Sequence, residues 1–372
     1  MSNSQRNLVL FLVVIAVIGS IWYLESMKAG PSGNIGGGVV ASSTSSVHSA
    51  NYAANLSKYP QAKEFIKPDG YINTNGEPIT LSSLIGKKVI LVDFWTYSCI
   101  NCQRTIPYLN QWYSKYKDEG LEIIGVHTPE FAFEKVYQNV SDAVQKFGIK
   151  YPVVMDSNYY TWNEYGNNYW PEEYLIDIDG LVRENNIGEG NYEETEQNIQ
   201  KLLAERAQTL GMNVNVSGGT VSVDQSIETN SPETYFDWQR NTNLGNVTAA
   251  VKGVQNFTMP SSIDLNTLYL SGKWNIEDEF AENSAKGDSI TFKYNAKNVY
   301  FVASSDPGVT ITVLRDGVVV GAERGEDVDS HGQVNIKEPR LYKLINESTA
   351  GTHTLEIIVN GPKLDAYTFT FG

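Results

Sequence analysis

Cys99 and Cys102 are the only cysteines in the 372-residue chain, and two residues separate them. A disulfide between them would close a ring too short to restrict an unfolded chain, so it is a poor structural staple. The spacing suits reversible thiol–disulfide chemistry instead, in which one sulfur attacks and the other resolves. Both residues follow an apolar run, Val89 to Trp95, and open a helical pattern. At such a junction, unpaired backbone N–H groups and the helix dipole favour an anion. Half of a zinc site is the other chemistry that this motif allows. Zinc needs two further ligands, and His48, His127, His331 and His353 are scattered, so no metal is expected.

A redox pair needs a rigid strand-to-helix junction to hold it. Val89 to Trp95 is almost continuously apolar, as a strand buried on both faces requires. A helix is predicted from about Cys99 to Asp118, ending near Gly120. Further strands are predicted at Leu121–Val126, Tyr151–Met155, Glu173–Ile178 and Leu181–Asn185, and helices at Val136–Phe147 and Glu193–Glu205. Asn75-Gly76, between Tyr71-Ile72 and Ile79–Leu81, predicts a hairpin. Thr128-Pro129-Glu130 reads as a helix N-cap, a first-turn proline and an acidic residue. Alternating strands and helices over 57–207 imply a largely parallel sheet covered by helices.

Residues 208–230 are polar and read as a linker. From 231 to 372 short β-rich runs recur without helices, among them Ser289–Tyr294, Val299–Ala303, Arg340–Leu344 and His353–Val359. That pattern argues for an all-β sandwich. Trp238, Trp274, Tyr300 and Tyr342 are candidates for a sugar-stacking surface, against the plainer reading that aromatics in sandwiches are core. Upstream, Leu8 to Leu24 carries no charge and reaches the low end of a spanning helix. Residues 1–27 therefore read as a membrane anchor or signal, and 28–56 as a flexible Gly/Ser-rich tether. Acidic residues outnumber basic ones by 43 to 28, for a net charge of −15, and no basic stripe interrupts them. Nucleic-acid binding is excluded on that ground.

The stretch at 92–102, VDFWTYSCINC, resembles the active site of thioredoxins. Pro107 matches the proline inside the thioredoxin active-site helix, and Trp170-Pro171 matches the cis-proline that faces the disulfide. The extra strand and helix between Leu121 and Met155 resemble the TlpA/redoxin branch. The segments at 95–110, 125–131 and 168–180, with SPETY at 231–235, LSGKW at 270–274 and YTFTFG at 367–372, look like the soluble part of DipZ-type cytochrome c biogenesis proteins. The resemblance covers about Ser57 to Gly372. It implies a thioredoxin fold, a central mixed sheet flanked by helices, followed by a jelly-roll sandwich similar to a carbohydrate-binding module.

The same resemblance implies roles. Cys99 is the nucleophile and Cys102 the resolving thiol, with their disulfide as the redox centre and no added cofactor. Asp93 takes the place of the buried thioredoxin carboxylate and relays a proton. Gly125 stands near where the thioredoxin lysine would be. Pro171 presents the peptide of Trp170 to the client, Trp95 packs beside the disulfide, and His127 is a candidate active-site contact. The implied clients are disulfide-bearing envelope proteins, apocytochromes among them, with a polysaccharide as a candidate ligand of the sandwich. A single span stands where DipZ-type proteins carry a polytopic membrane domain, which implies a separate electron donor of the CcdA type. An uncleaved anchor would keep the soluble domains on the outer face of the cell membrane, and cleavage would secrete them. Two other readings compete: a thiol peroxidase, for which Thr96-x-x-Cys99 fits part of the pattern, and a surface glycan-binding protein with a thioredoxin-like scaffold.

Overall fold

The structure, a computed structural model, describes residues 48–213, 215–223, 227–247 and 249–372; the apolar segment at 8–24 lies outside them. Among the described residues no helix is long and apolar enough to cross a membrane. The first half contains α1 (Tyr52–Leu56), β1 (Gly70–Ile72), β2 (Val89–Trp95), α2 (Ile100–Tyr116), β3 (Leu121–His127), α3 (Tyr137–Lys146), β4 (Val153–Met155), α4 (Tyr160–Tyr165), β5 (Glu172–Ile176), β6 (Val182–Ile187) and α5 (Tyr192–Thr209). Its six strands form one mixed sheet in the order β1-β4-β3-β2-β5-β6. β2, β3 and β4 run parallel, while β1, β5 and β6 pair antiparallel.

Strand β2 lies at the centre because six of its seven residues are apolar, and all seven are buried. Successive side chains of a strand point to opposite faces. Val89, Leu91 and Trp95 accordingly enter one apolar layer with Ile106, Leu109 and Trp112 of α2 and Ile199, Leu202 and Leu203 of α5. Ile90, Val92 and Phe94 enter the opposite layer with Phe65, Trp162 and Tyr174. Residues of β2 and α2 are thus held on both sides of the Cys99 turn.

Several expectations are corrected. The turn at Asn75-Gly76 exists, with positive φ at Asn73, Asn75 and Gly76. No hairpin forms, because β1 pairs with β4 instead. Asn73 Nδ2 donates to the carbonyls of Ile149 and Tyr151, both at 3.0 Å, and the Leu81 amide is taken by Glu64 at 2.7 Å. Residues 48–56 do not continue the tether: His48 stacks on Tyr52 of α1 at 3.7 Å, and Ser49 N donates to Asp179 at 3.0 Å. The linker is likewise fastened. α5 extends to Thr209, Val221 N donates to Glu196 at 2.6 Å, and Lys115 Nζ donates to the Gly219 carbonyl at 2.7 Å. Val216 and Val221 pack on the apolar layer beneath. No helix starts at Thr128; a short turn of 3-10 helix spans Ala132–Lys135.

The second half is all β: β7 (Thr234–Tyr235), β8 (Gly253–Phe257), β9 (Leu268–Ile276), β10 (Ala281–Asn283), β11 (Ser289–Ser304), β12 (Val309–Arg315), β13 (Val318–Val319), β14 (Gln333–Ile336), β15 (Arg340–Val359) and β16 (Asp365–Phe371). They join one hydrogen-bonded antiparallel network. The pairs of short runs predicted at 289–303 and 340–359 are two long strands, paired with each other with register shifts at Ala296/Asn298 and at Val299/Tyr300. β11 pairs with β9 at Ser289–Phe292 and with β16 at Val299–Ser304, so one strand serves two runs of sheet. Phe236, Phe292, Tyr294, Phe301 and Phe369 fill the core between them.

Candidate active site

Cys99 is the N-cap of α2, and its Sγ accepts the Cys102 N–H at 3.5 Å. A backbone donor aimed at a sulfur stabilises negative charge on it. The same Sγ lies 3.7 Å from the Trp170 carbonyl oxygen. The Trp170–Pro171 bond is cis, and the Trp170 indole N–H donates to the Thr128 carbonyl at 3.0 Å. Both cysteines are free thiols; Cys99 is half-buried and Cys102 buried. Pro107 sits inside α2.

Behind Cys102 the site is apolar, with carboxylates set into it. Burial, with Cys99 and then Asp93 as near neighbours, pushes the Cys102 thiol well above the ordinary thiol range. Asp93 is 1% exposed, and burial pushes its carboxyl up to about 7. Its Oδ1 has no hydrogen-bond partner. Gly125 pairs with Asp93 in the β2–β3 ladder, so the place expected of a lysine holds no side chain. A Cβ there would come within 2.7 Å of Trp95 Nε1. Trp95 is fully buried in the layer that holds Cys102. On the other side of Asp93, in register on β5, is Glu173, which the sequence reading did not single out.

His127 is placed differently from the expectation. Its Nε2 accepts the Tyr97 N–H at 3.3 Å, and its ring stacks on Tyr97 at 5.8 Å, so it supports the loop before Cys99 from below. Burial pushes its pKa down to about 3, which keeps it neutral. Glu134 is a second residue that sequence reasoning missed. Fully buried, it accepts from Ser98 Oγ at 2.6 Å and Ser98 N at 3.3 Å, and from Glu130 N at 2.6 Å and Phe131 N at 2.9 Å. It ties the residue before Cys99 to the loop after β3. A glutamine has one acceptor oxygen where these donors need two, so Glu134→Gln is expected to cost roughly 2–4 kcal/mol of stability in urea unfolding.

Sequence comparisons agree with this geometry. A family model described as "AhpC/TSA family" matches residues 60–185, and one described as "Thioredoxin like C-terminal domain" matches residues 231–372. Thiol-disulfide oxidoreductase ResA of Bacillus anthracis is 35% identical over 142 residues, which is 38% of this chain and 76% of that protein. The chain belongs to the thioredoxin-like thiol–disulfide oxidoreductases. Protein DipZ of Mycobacterium tuberculosis is 42% identical to this oxidoreductase over 341 residues, 91% of this chain and 47% of DipZ. The chain therefore spans about half the length of the DipZ relatives it matches. Among solved structures, a thiol-disulfide isomerase from Corynebacterium glutamicum matches at 20% identity and a TM-score of 0.36, covering 40% of this chain and 99% of that one.

The all-β half of the oxidoreductase packs against its active-site face. Ile100 and Phe131 share an apolar cluster with Val302, Leu341 and Tyr367. Glu130 accepts from Tyr235 Oη and Arg240 Nη1, both at 2.8 Å, and Tyr97 Oη donates to the Pro339 carbonyl at 3.0 Å. A cleft of about 290 Å³ opens on Cys99, lined by Cys99, Ile100 and Trp170 on one side and by Tyr235, Thr370 and Phe371 on the other. His127 is not among its lining residues. The four-aromatic sugar-stacking surface is not formed. Trp274 and Tyr342 are 0% exposed and belong to the core, while Trp238 is exposed and donates to Asp278 at 2.8 Å.

Proposed function

We propose that this oxidoreductase works outside the cytoplasm, tethered to a membrane by residues 8–24, and reduces disulfides of envelope proteins. The observation that carries the reading is Cys99 Sγ at the mouth of a cleft, held by the Cys102 amide, with Cys102 buried directly behind. Cys99 as thiolate attacks a client disulfide, a mixed disulfide forms, and one client sulfur leaves as thiolate. Cys102 then attacks Cys99, the second client thiol departs, and the 99–102 disulfide remains. Two electrons pass from the dithiol to the client. Asp93 accepts the Cys102 proton, and the Trp170 carbonyl gives the client backbone a hydrogen-bond acceptor beside the reacting sulfur. Tyr235 and Phe371 make the all-β half part of the client-reading surface.

The reductive direction is inferred from the buried side of the pair. Oxidants of this class depend on a stabilised thiolate in the reduced form. Here burial, then Cys99 and Asp93, disfavour a Cys102 thiolate, so that sulfur adds none of the thiolate stabilisation on which strong oxidants depend. Spent protein would be recharged by a membrane electron donor of the CcdA type, and apocytochromes are fitting clients. Equilibration of the full chain with glutathione buffers tests this. A potential near the thioredoxin value of about −270 mV is expected, and one near the DsbA value of about −120 mV would overturn the reductase assignment.

A further inference from the structure

Glu173 is a buried acid for which the reaction above has no use. It is 2% exposed, and neither of its carboxylate oxygens has a hydrogen-bond partner. Backbone register fixes where it points. Glu173 and Asp93 are directly opposed in the antiparallel β5–β2 ladder. Such pairs project from the same face with Cβ atoms about 4.5–5.5 Å apart. Strand parity identifies that face. Leu91 and Trp95 flank Asp93 at two residues' distance, Leu175 is two residues from Glu173, and all three lie in the layer that contains Cys102.

A row across the sheet therefore reads Asn186, Glu173, Asp93, Gly125. It contains two acids and no cation. Asn186 Nδ2 donates to the Gly190 carbonyl at 3.2 Å, and Gly125 supplies nothing. The other titratable groups that face the two acids are Cys102 on α2, Tyr151 before β4, Glu184 on β6 and Tyr192 on α5. Glu184 is engaged by Thr195 and Asn198, both at 2.6 Å. Tyr151 Oη, Trp95 Nε1 and Trp112 Nε1 lie unpartnered in the same layer, so the neighbourhood is polar without being neutralised. Two carboxylates side by side in a low-dielectric layer do not both ionise; they titrate as a unit.

We propose that Asp93 and Glu173 form one carboxyl pair that holds a single shared proton, with Glu173 as the positioning residue that sets when Asp93 can take the proton of Cys102. This rests on the oxidoreductase reading above. In the resolving step the Cys102 S–H proton passes to the pair, which becomes doubly protonated. The Cys102–Cys99 bond forms, the bond from Cys99 to the client sulfur breaks, and the client leaves as thiolate. Reduction of the 99–102 disulfide by the donor returns that proton to Cys102.

The test uses the full chain with dithiobis(nitrobenzoate), whose second nitrothiobenzoate is released when Cys102 resolves the mixed disulfide. Release is followed by stopped flow across the acid-to-alkaline range in the natural chain, Glu173→Gln and Glu173→Asp. The acid limb marks the step from the doubly to the singly protonated pair, which proton sharing lowers, so Glu173→Gln should move the acid limb up by about one pH unit and Glu173→Asp should restore it. Superimposed profiles would overturn the pair and leave the oxidoreductase reading intact. Absence of any second release in the natural chain would overturn both. NMR titration of the two carboxyl carbons in the natural chain gives a second readout that needs no variant. Each resonance should report both protonation steps, and a single independent step at each would refute the sharing.

Discussion

Replacing Cys102 with alanine is expected to turn the protein into a covalent trap. Cys99 stays at the mouth of the cleft, so attack on a client disulfide proceeds and the mixed disulfide accumulates to one client per chain. Nothing resolves it, and catalytic turnover falls by about 10³-fold or more. The reverse substitution behaves differently. In Cys99→Ala the remaining sulfur is 1% exposed and held as a thiol by burial, so neither turnover nor trapping should occur. Iodoacetamide should likewise label Cys99 in the reduced chain roughly 10²-fold faster than Cys102. Insulin reduction and mass spectrometry of the trapped species check all three points. Trapping by Cys99→Ala, or equal labelling of both sulfurs, would reverse the assigned roles.

The pieces of this site that are continuous in sequence were the legible ones. An apolar run that ends in two cysteines at the start of a helical pattern fixes β2, the Cys99 turn and α2 by local chemistry alone, and Asp93 and Pro171 follow from the resemblance. What the chain could not disclose was pairing. Glu173 looks like any strand acid until the β5–β2 register sets it against Asp93. Nothing local marks Glu134, which lies before the helix predicted at Val136–Phe147, until the chain after β3 folds it under Ser98. The Asn75-Gly76 turn signal is real, yet it carries no information about which strand β1 will join. Residues 216–221 of the linker lie against the first half, and polarity alone does not distinguish a fastened strap from a free one. Trp274 and Tyr342 are a matter of which face of a strand meets the core, which short and irregular β patterns leave ambiguous.

Asp93→Asn is expected to make the protein a poorer catalyst and a more stable fold, and pH separates the two effects. The carboxyl titrates at about 7 in the folded chain against a reference value of 3.8. Between those values the folded state keeps a proton that the unfolded chain has released, so stability declines as pH rises and the loss is complete once pH passes the folded value. A shift of this size corresponds to at most about 4 kcal/mol at 1.36 kcal/mol per unit, and less in practice because Glu173 shares the titration. Asparagine cannot ionise. The variant should therefore match the natural chain near pH 4 and exceed it by roughly 2–4 kcal/mol near pH 8 in urea unfolding. Its curve should flatten without becoming level, since Glu173 keeps a slope of its own. Resolution of the mixed disulfide should slow by about 10²-fold, the usual scale for loss of a positioned proton acceptor. Parallel stability curves for the two proteins would mean that Asp93 is not the group that titrates. An undiminished resolution rate in a stabilised variant would mean that its charge is a burden of the fold with no part in the chemistry. The carboxylate is retained at a cost in stability that peaks in the pH range where a proton acceptor for Cys102 is needed, and that coincidence is what a catalytic role requires.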